Sequence, residues 1–272
     1  IIFSFIIFLH LFKNILNKII SFKMILFIAI IIYIYFCIPH SEKILFFLIY
    51  VYGVYWIYVK NKYQSTLLPM IIIALPMILH KFDVSPIFKV IGISYITFRT
   101  IQSIVDSHNY GKLSFIEFTS FLLFPTTLLA GPIDRSYRFQ EDLQKGYENL
   151  TFTNIGKGWD ILLVGVLFKF IFAECVNKFW LIPIDENSVV LLDMINSAYA
   201  YTTYLFFDFA GYSAMAVGLS IMMGITVPMN FNHPYLAPNP QDFWRRFHIT
   251  LGSWLTDYFF KPLYKYLHNF NI

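Results

Sequence analysis

Residues 24–39 read MILFIAIIIYIYFCIP, and residues 44–59 read ILFFLIYVYGVYWIYV. Neither stretch holds a charged side chain, and neither alternates apolar with polar positions. Barrel strands alternate, so unbroken runs of this kind belong to helices in lipid. A helix needs about 20 residues to cross the hydrocarbon core, and these runs reach that length by borrowing their flanks. Tyrosines near the ends suit the headgroup belt.

The composition agrees. Of 272 residues, 58% are hydrophobic, 20% aromatic and only 13% charged, and the mean hydropathy is +0.62. Soluble domains carry about 25% charged residues. The chain is therefore expected to be all-α, a polytopic transmembrane helical protein. The net charge of +4 comes from lysines and arginines in short connectors, without the basic tail or patch of a nucleic-acid binder. Cys37 and Cys175 lie far apart in apolar segments and read as small core residues rather than a disulfide or a metal site. The chain opens on Ile1 inside an apolar run and stops at Ile272 after an aromatic, basic segment. It is expected to be a single incomplete membrane domain over residues 1–272, with no signal peptide, because no charged region precedes the first run.

Taken in order, residues 1–12 read as the tail of a span, followed by Lys13, Lys18 and Lys23 as connector charges. The second and third spans follow. Residues 66–79 form a fourth run carrying Pro69 and Pro76, which predict a bent or interrupted helix. Residues 84–105, VSPIFKVIGISYITFRTIQSIV, are less apolar. Helical spacing puts Arg99, Gln102 and Ser103 on one face. Lys89 joins them in an interfacial, snorkelling reading, and a helix lining a polar cavity is the alternative. After the apolar stretch 113–130 comes GPIDRSYRFQEDLQKGYENL, with an amphipathic helix expected over 139–147 and Gly146 near its end. Residues 159–182 carry Lys169 and Glu174, read as snorkelling or paired to other helices. Residues 189–225 are long enough for two spans and contain Asp208 in TTYLFFDFAGYSAMAVG. A carboxylate there is either structural glue or a substrate contact. Gly211 and Gly218 allow close helix approach.

The chemistry concentrates in DFWRRFHITLGSW, residues 242–254. A proline- and asparagine-rich connector, TVPMNFNHPYLAPNPQ, leads into it and reads as turns. Asn239 is the expected helix N-cap, with Pro240 at the first helical position and Asp242 favoured in the first turn by the helix dipole. Phe243, Phe247, Leu251, Trp254 and Tyr258 recur at helical spacing as one apolar stripe. His248 lies one position off that stripe and is expected to reach a cavity. Arg245 and Arg246 are placed to hold an anion or an acidic side chain. A histidine near hydroxyls can take a proton at neutral pH, and an acceptor alcohol so activated can attack a thioester or ester. An interfacial histidine without a task is the alternative. There is no Walker loop, dinucleotide fingerprint, Cys-x-x-Cys or His-Glu-x-x-His in the sequence.

Three stretches together resemble the membrane-bound O-acyltransferase family: GISYITFRTIQ with LLAGPIDRSYRF, then FFDFAGYSAMAVGLSIMMGI with PMNFNHPYLAP, then DFWRRFHITLGSWLTDYFFKPL. The resemblance covers residues 90–263 as a recognisable core. It implies a fold with kinked and re-entrant helices and a multi-pass position in a bacterial plasma membrane. It implies a donor thioester on the phosphopantetheine of an acyl carrier protein, no tightly bound cofactor, and a hydroxyl acceptor on a cell-envelope polymer. Gly131 to Arg135, Arg138-Phe139, Arg99 and FFDFAGYS resemble the D-alanyl branch, which acts toward teichoic acid. Arg245-Arg246 and Lys261-Pro262-Leu263 resemble the acetyl branch, which acts toward alginate-type polysaccharide. Phe247 replaces the tryptophan usual in both, and Thr256 stands where a basic residue is often found. The resemblance places one key polar position on His248. A second histidine belongs on a later helix, so the chain alone is expected to be inactive. Asp242, Trp244, Arg245, Arg246, Arg135 and Asp208 are the expected substrate-binding residues. The rival class is a transporter or flippase, supported by a broken fourth segment, the glycine-rich Asp208 helix and the polar cavity-lining residues; a structural subunit of an export complex is a third reading.

Overall fold

The computed structural model describes residues 1–39, 41–61, 67–82, 91–184 and 190–269. Lys62, Thr66, residues 84–90 and with them Lys89 lie outside the described residues. The described residues are helical and contain no strand. Three helices are long and apolar enough to cross a membrane, within α1 (Ile2–Ile19), α3 (Ser41–Asn61) and α10 (Leu191–Met222). The apolar helices α2 (Phe22–Cys37) and α4 (Leu67–Lys81) are shorter.

The first helix does not stop at residue 12. It continues through Lys13 and Lys18 to Ile19, and two of its polar residues, His10 and Lys13, turn inward. His10 Nε2 lies 2.9 Å from the carbonyl of Met222, and Lys13 Nζ donates to the carbonyl of Leu150 at 2.8 Å. Last-turn carbonyls have no partner within their own helix, so a histidine and a lysine on α1 complete the ends of neighbouring segments. The fourth run is not interrupted either. Pro69 falls in the first turn of α4, where the missing N–H is harmless, and Pro76 sits inside one helix assigned from Leu67 to Lys81. A main sequence argument for a transporter goes with it.

Helix α5 (Ile93–Tyr110) is the centre of the molecule. It packs against α3, α4, α6 (Phe115–Leu122) and α7 (Ser136–Lys145). Its polar face is buried, with Arg99 1% and Gln102 0% exposed, so the interfacial reading fails. The Arg99 guanidinium donates to the carbonyls of Phe121, Leu122 and Thr127 at 2.8, 3.0 and 2.8 Å, and to Thr127 Oγ1 at 2.5 Å. These acceptors lie at the end of α6 and at the end of the 3-10 turn (Pro125–Thr127) that follows it. A planar fork of donors can satisfy several carbonyls at once. Arg99 thus holds a buried non-helical turn, which lipid tolerates only inside protein.

Where the sequence is long enough for two spans, Leu191–Met222 form one helix of 32 residues. It lies antiparallel to α8 (Phe152–Leu167), whose course continues through π turns and α9 (Ala173–Val176) to Leu181. Glycines seven apart on each helix set the contact. A Cβ on Gly158 would come within 2.6 Å of the Gly218 carbonyl, and one on Gly165 within 2.7 Å of the Gly211 carbonyl. One turn beyond, Lys169 pairs with Asp208. The ion pair between two helices bears out the reading of Lys169 as paired to another helix.

Cys37 and Cys175 are exposed, which corrects their reading as buried thiols. They stand among the many exposed apolar side chains of α1 to α4 and α8 to α10, a surface made for lipid contact.

Candidate active site around His248

The expected continuous helix over 242–254 is two helices, α11 (Pro240–Arg246) and α12 (Ile249–Leu255). The helix break corrects the single apolar stripe. Asn239 caps α11, its side chain accepting Asp242 N at 2.8 Å with Pro240 at the first position. Between the helices His248 adopts a left-handed conformation, φ 49° and ψ 51°. That costs an L-residue about 1–2 kcal/mol and persists only where surroundings impose it.

The connector after α10 imposes it. It is pinned at its start by Asp142, whose Oδ2 accepts Thr226 N at 2.7 Å. It then runs beside the break, where the Asn230 carbonyl accepts Ile249 N at 2.9 Å and Asn232 N donates to the Arg246 carbonyl at 3.0 Å. The asparagines read as turn formers thus satisfy backbone groups that the broken helix leaves free.

The His248 ring stands edge-on to Phe209, centroids 4.8 Å apart at 84°. Phe209 packs on Phe231, and Phe231 on Phe247. The Nε2 of His248 is buried without a hydrogen-bond partner. His248 itself lies outside the spanning helices, and burial pulls its imidazole down to about 4 from the usual 6.5. At neutral pH the ring is therefore uncharged, with one nitrogen lone pair able to accept a hydrogen bond.

A second buried network supports the turn from the opposite side. Thr250 Oγ1 accepts Ile133 N at 3.0 Å and donates to Asn230 Oδ1 at 2.5 Å. The next residue, Asp134, offers its carbonyl to Gln102 Nε2 at 2.7 Å, and its carboxylate takes Arg135 N and Arg138. Burial pushes the Asp134 carboxyl up to about 6, against the opposing pull of Arg138. Ser136 Oγ and Tyr258 OH both donate to Asp106, at 2.6 and 2.8 Å.

The expected substrate-binding residues do not converge on His248. Asp242 and Arg246 pair with each other at 2.8 Å. Arg135 pairs with Asp257 at 2.7 Å and lies over the Tyr258 ring. Asp208 faces Lys169, in the π turn that continues α8. Trp244 and Arg245 are exposed on α11. Sequence reasoning passed over Asn230 and Thr250, which hold the turn. The only signal for Asn230 was its place in the PMNFNHPY stretch.

Beside the turn lies a cavity of about 360 Å³, walled by Phe168, Phe206, Ser213, Asn230, Phe231 and Tyr235 among others. It offers an apolar, aromatic space with a few polar groups, the common make-up of a small-molecule site.

Comparison with known proteins gives this arrangement its context. A teichoic acid D-alanyltransferase of Bacillus subtilis is 39% identical over 180 residues, 62% of this chain and 44% of that protein. One of Streptococcus thermophilus is 32% identical over 245 residues, 82% of this chain and 59% of that protein. A probable alginate O-acetylase of Azotobacter vinelandii is 34% identical over 190 residues, 67% and 37% of the two chains. The chain spans about half the length of these curated D-alanyltransferase relatives. The family model for membrane-bound O-acyltransferases matches residues 10–271. The chain belongs to the membrane-bound O-acyltransferase family.

Proposed function

We propose that this chain is the His248-bearing part of a bacterial plasma-membrane enzyme that moves a D-alanyl group onto a hydroxyl of a cell-envelope polymer such as teichoic acid. The donor in this reading is a phosphopantetheine thioester on an acyl carrier protein. The observation that carries it is His248, an uncharged imidazole held in a left-handed turn with a buried, unpartnered Nε2. Such a group suits the acceptor hydroxyl, whose proton it can take as a hydrogen bond while aiming the oxygen lone pair at a carbonyl.

The acceptor oxygen attacks the thioester carbonyl carbon. The C–O bond forms, the C–S bond breaks, and the thiol leaves with the proton that the hydroxyl gives up. Proton removal falls to the second histidine that the family resemblance implies. Trp244 and Arg245, exposed on α11, are proposed to meet the acceptor polymer. Asp242, Arg246, Arg135 and Asp208 act through their ion pairs to position the site. Residues 90–263 form the functional core in this reading.

The D-alanyl assignment is supported by the two D-alanyltransferase relatives. A second reading, an acetyl donor and an exported polysaccharide, is favoured by the alginate O-acetylase match and by Arg245-Arg246. The test uses the complete gene product in proteoliposomes, with labelled D-alanyl and acetyl carrier thioesters compared. His248→Ala should abolish transfer without loss of expression, and near-normal transfer would overturn the assignment.

A further inference from the structure

Asn230 is 1% exposed and forms part of the cavity wall. Its carbonyl accepts Ile249 N, which sets the His248 backbone beside it. Its side-chain Oδ1 accepts Thr250 Oγ1, while Nδ2 is buried with no partner. The amide orientation follows from the threonine. Thr250 Oγ1 already accepts Ile133 N and makes no other donated bond among the described residues. Its proton therefore goes to the asparagine oxygen. Turning the amide over would leave that proton without an acceptor.

A buried amide N–H without a partner is unfavourable and calls for an explanation. The residue that carries it lines an apolar cavity beside the candidate catalytic turn. Resting on the acyltransferase reading above, we propose that Asn230 Nδ2 is the hydrogen-bond donor for the thioester carbonyl oxygen, with the acyl group seated in the cavity walled by Phe206, Phe231 and Tyr235. As the acceptor oxygen bonds to the carbonyl carbon, the C=O electron pair moves to oxygen and meets the N–H. When that pair returns, the C–S bond breaks and the thiolate takes the proton that left the hydroxyl. A donor fixed in advance, with its other end tied to Thr250, favours the oxyanion over the ground-state carbonyl.

The decisive comparison is Asn230→Asp in the complete protein in proteoliposomes, with D-alanyl and acetyl carrier thioesters as donors. Aspartate keeps an acceptor for Thr250 and removes the donor. Measured below the variant's melting temperature, which the buried charge should lower, its kcat should fall about 10²- to 10³-fold with KM for the thioester changed by less than about threefold. A kcat within threefold of wild type overturns the assignment of Asn230, as does a loss that appears only in KM. If aspartate prevents folding, Asn230→Ser, too short to reach the cavity, is read by the same criterion. Wild-type protein that transfers neither acyl group overturns the acyltransferase reading and this assignment with it. An active wild type, an inactive His248→Ala and an active Asn230→Asp overturn the role of Asn230 alone.

Discussion

The hydroxyl of Thr250 lies 2.5 Å from Oδ1 of Asn230 and 3.0 Å from the amide nitrogen of Ile133. One oxygen atom thus ties together α12, the connector after α10 and the loop after Gly131. Thr250→Val keeps the shape and removes both bonds. It leaves a buried backbone N–H and an asparagine oxygen unpaired, each an expense of about 1–3 kcal/mol. The expected loss is about 2–4 kcal/mol, read as a lower melting temperature in detergent. Thr250→Ser retains the hydroxyl and should recover most of it. Equal stability of the valine and serine variants would remove Thr250 from its tying role.

The contact between α8 and α10 makes a second claim. A Cβ on Gly165 would lie 2.7 Å from the carbonyl of Gly211 and from the backbone nitrogen of Met215. Backbone atoms inside a helix cannot step aside as a side-chain end can. Gly165→Ala should therefore push the helices apart and destabilise by about 1–3 kcal/mol. Gly156, on the same helix, has nothing within 4 Å of its Cβ position. Gly156→Ala should be neutral or stabilising by up to about 1 kcal/mol. Parallel thermal melts separate a packing requirement at Gly165 from a general intolerance of alanine on α8.

The sequence displayed the lipid-facing helices because their chemistry is one-dimensional: an uncharged run is visible residue by residue. It also displayed the Asn239 cap, since a cap depends on neighbours within three residues. The helix break at His248 was hidden. Phe243, Phe247 and Leu251 keep helical spacing across it, and nothing local demands a left-handed histidine. The break is imposed by Asn230 and Asn232, which supply partners from an earlier segment. Arg99 was ambiguous for the same reason. Whether an arginine snorkels or is buried depends on whether carbonyls wait for it, and those of Phe121, Leu122 and Thr127 lie more than twenty residues away. Gly211 and Gly218 signalled a close approach, but not that Gly158 and Gly165 would answer them.

The ion pair between Lys169 and Asp208 separates two roles for the aspartate. If it serves packing, removing both charges together should be milder than removing one, because a lone charge against apolar neighbours is the costly state. Asp208→Asn alone and Lys169→Met alone should each lower stability by more than the double variant does. Transfer activity of the double variant should remain within about tenfold of wild type, a barrier change of about 1.4 kcal/mol. Complete loss of activity in a stably folded double variant would return Asp208 to a direct contact with substrate.

The buried imidazole makes stability respond to acid in a stated direction. His248 is held near 4 in the folded protein, against 6.5 when solvated. A depressed value means that the folded state resists taking the proton. Its contribution is complete above pH 6.5 and is lost as pH falls toward 4. Asp134 acts oppositely. Its carboxyl is raised to about 6 from 3.8, so its contribution is complete below 3.8 and is lost as pH rises through 6. Comparing wild type with His248→Gln isolates the histidine, because Asp134 is common to both. The difference in their melting temperatures should be constant above pH 6.5 and should shift steadily against the wild type between 6.5 and 4. Carbon-13 NMR of histidine-labelled protein gives the direct reading, with the His248 resonance titrating near 4 rather than 6.5. A midpoint at or above 6.5 would mean that the ring is charged or freely solvated at neutral pH. The buried, unpartnered imidazole on which the proposed hydrogen bond to the acceptor rests would then be absent.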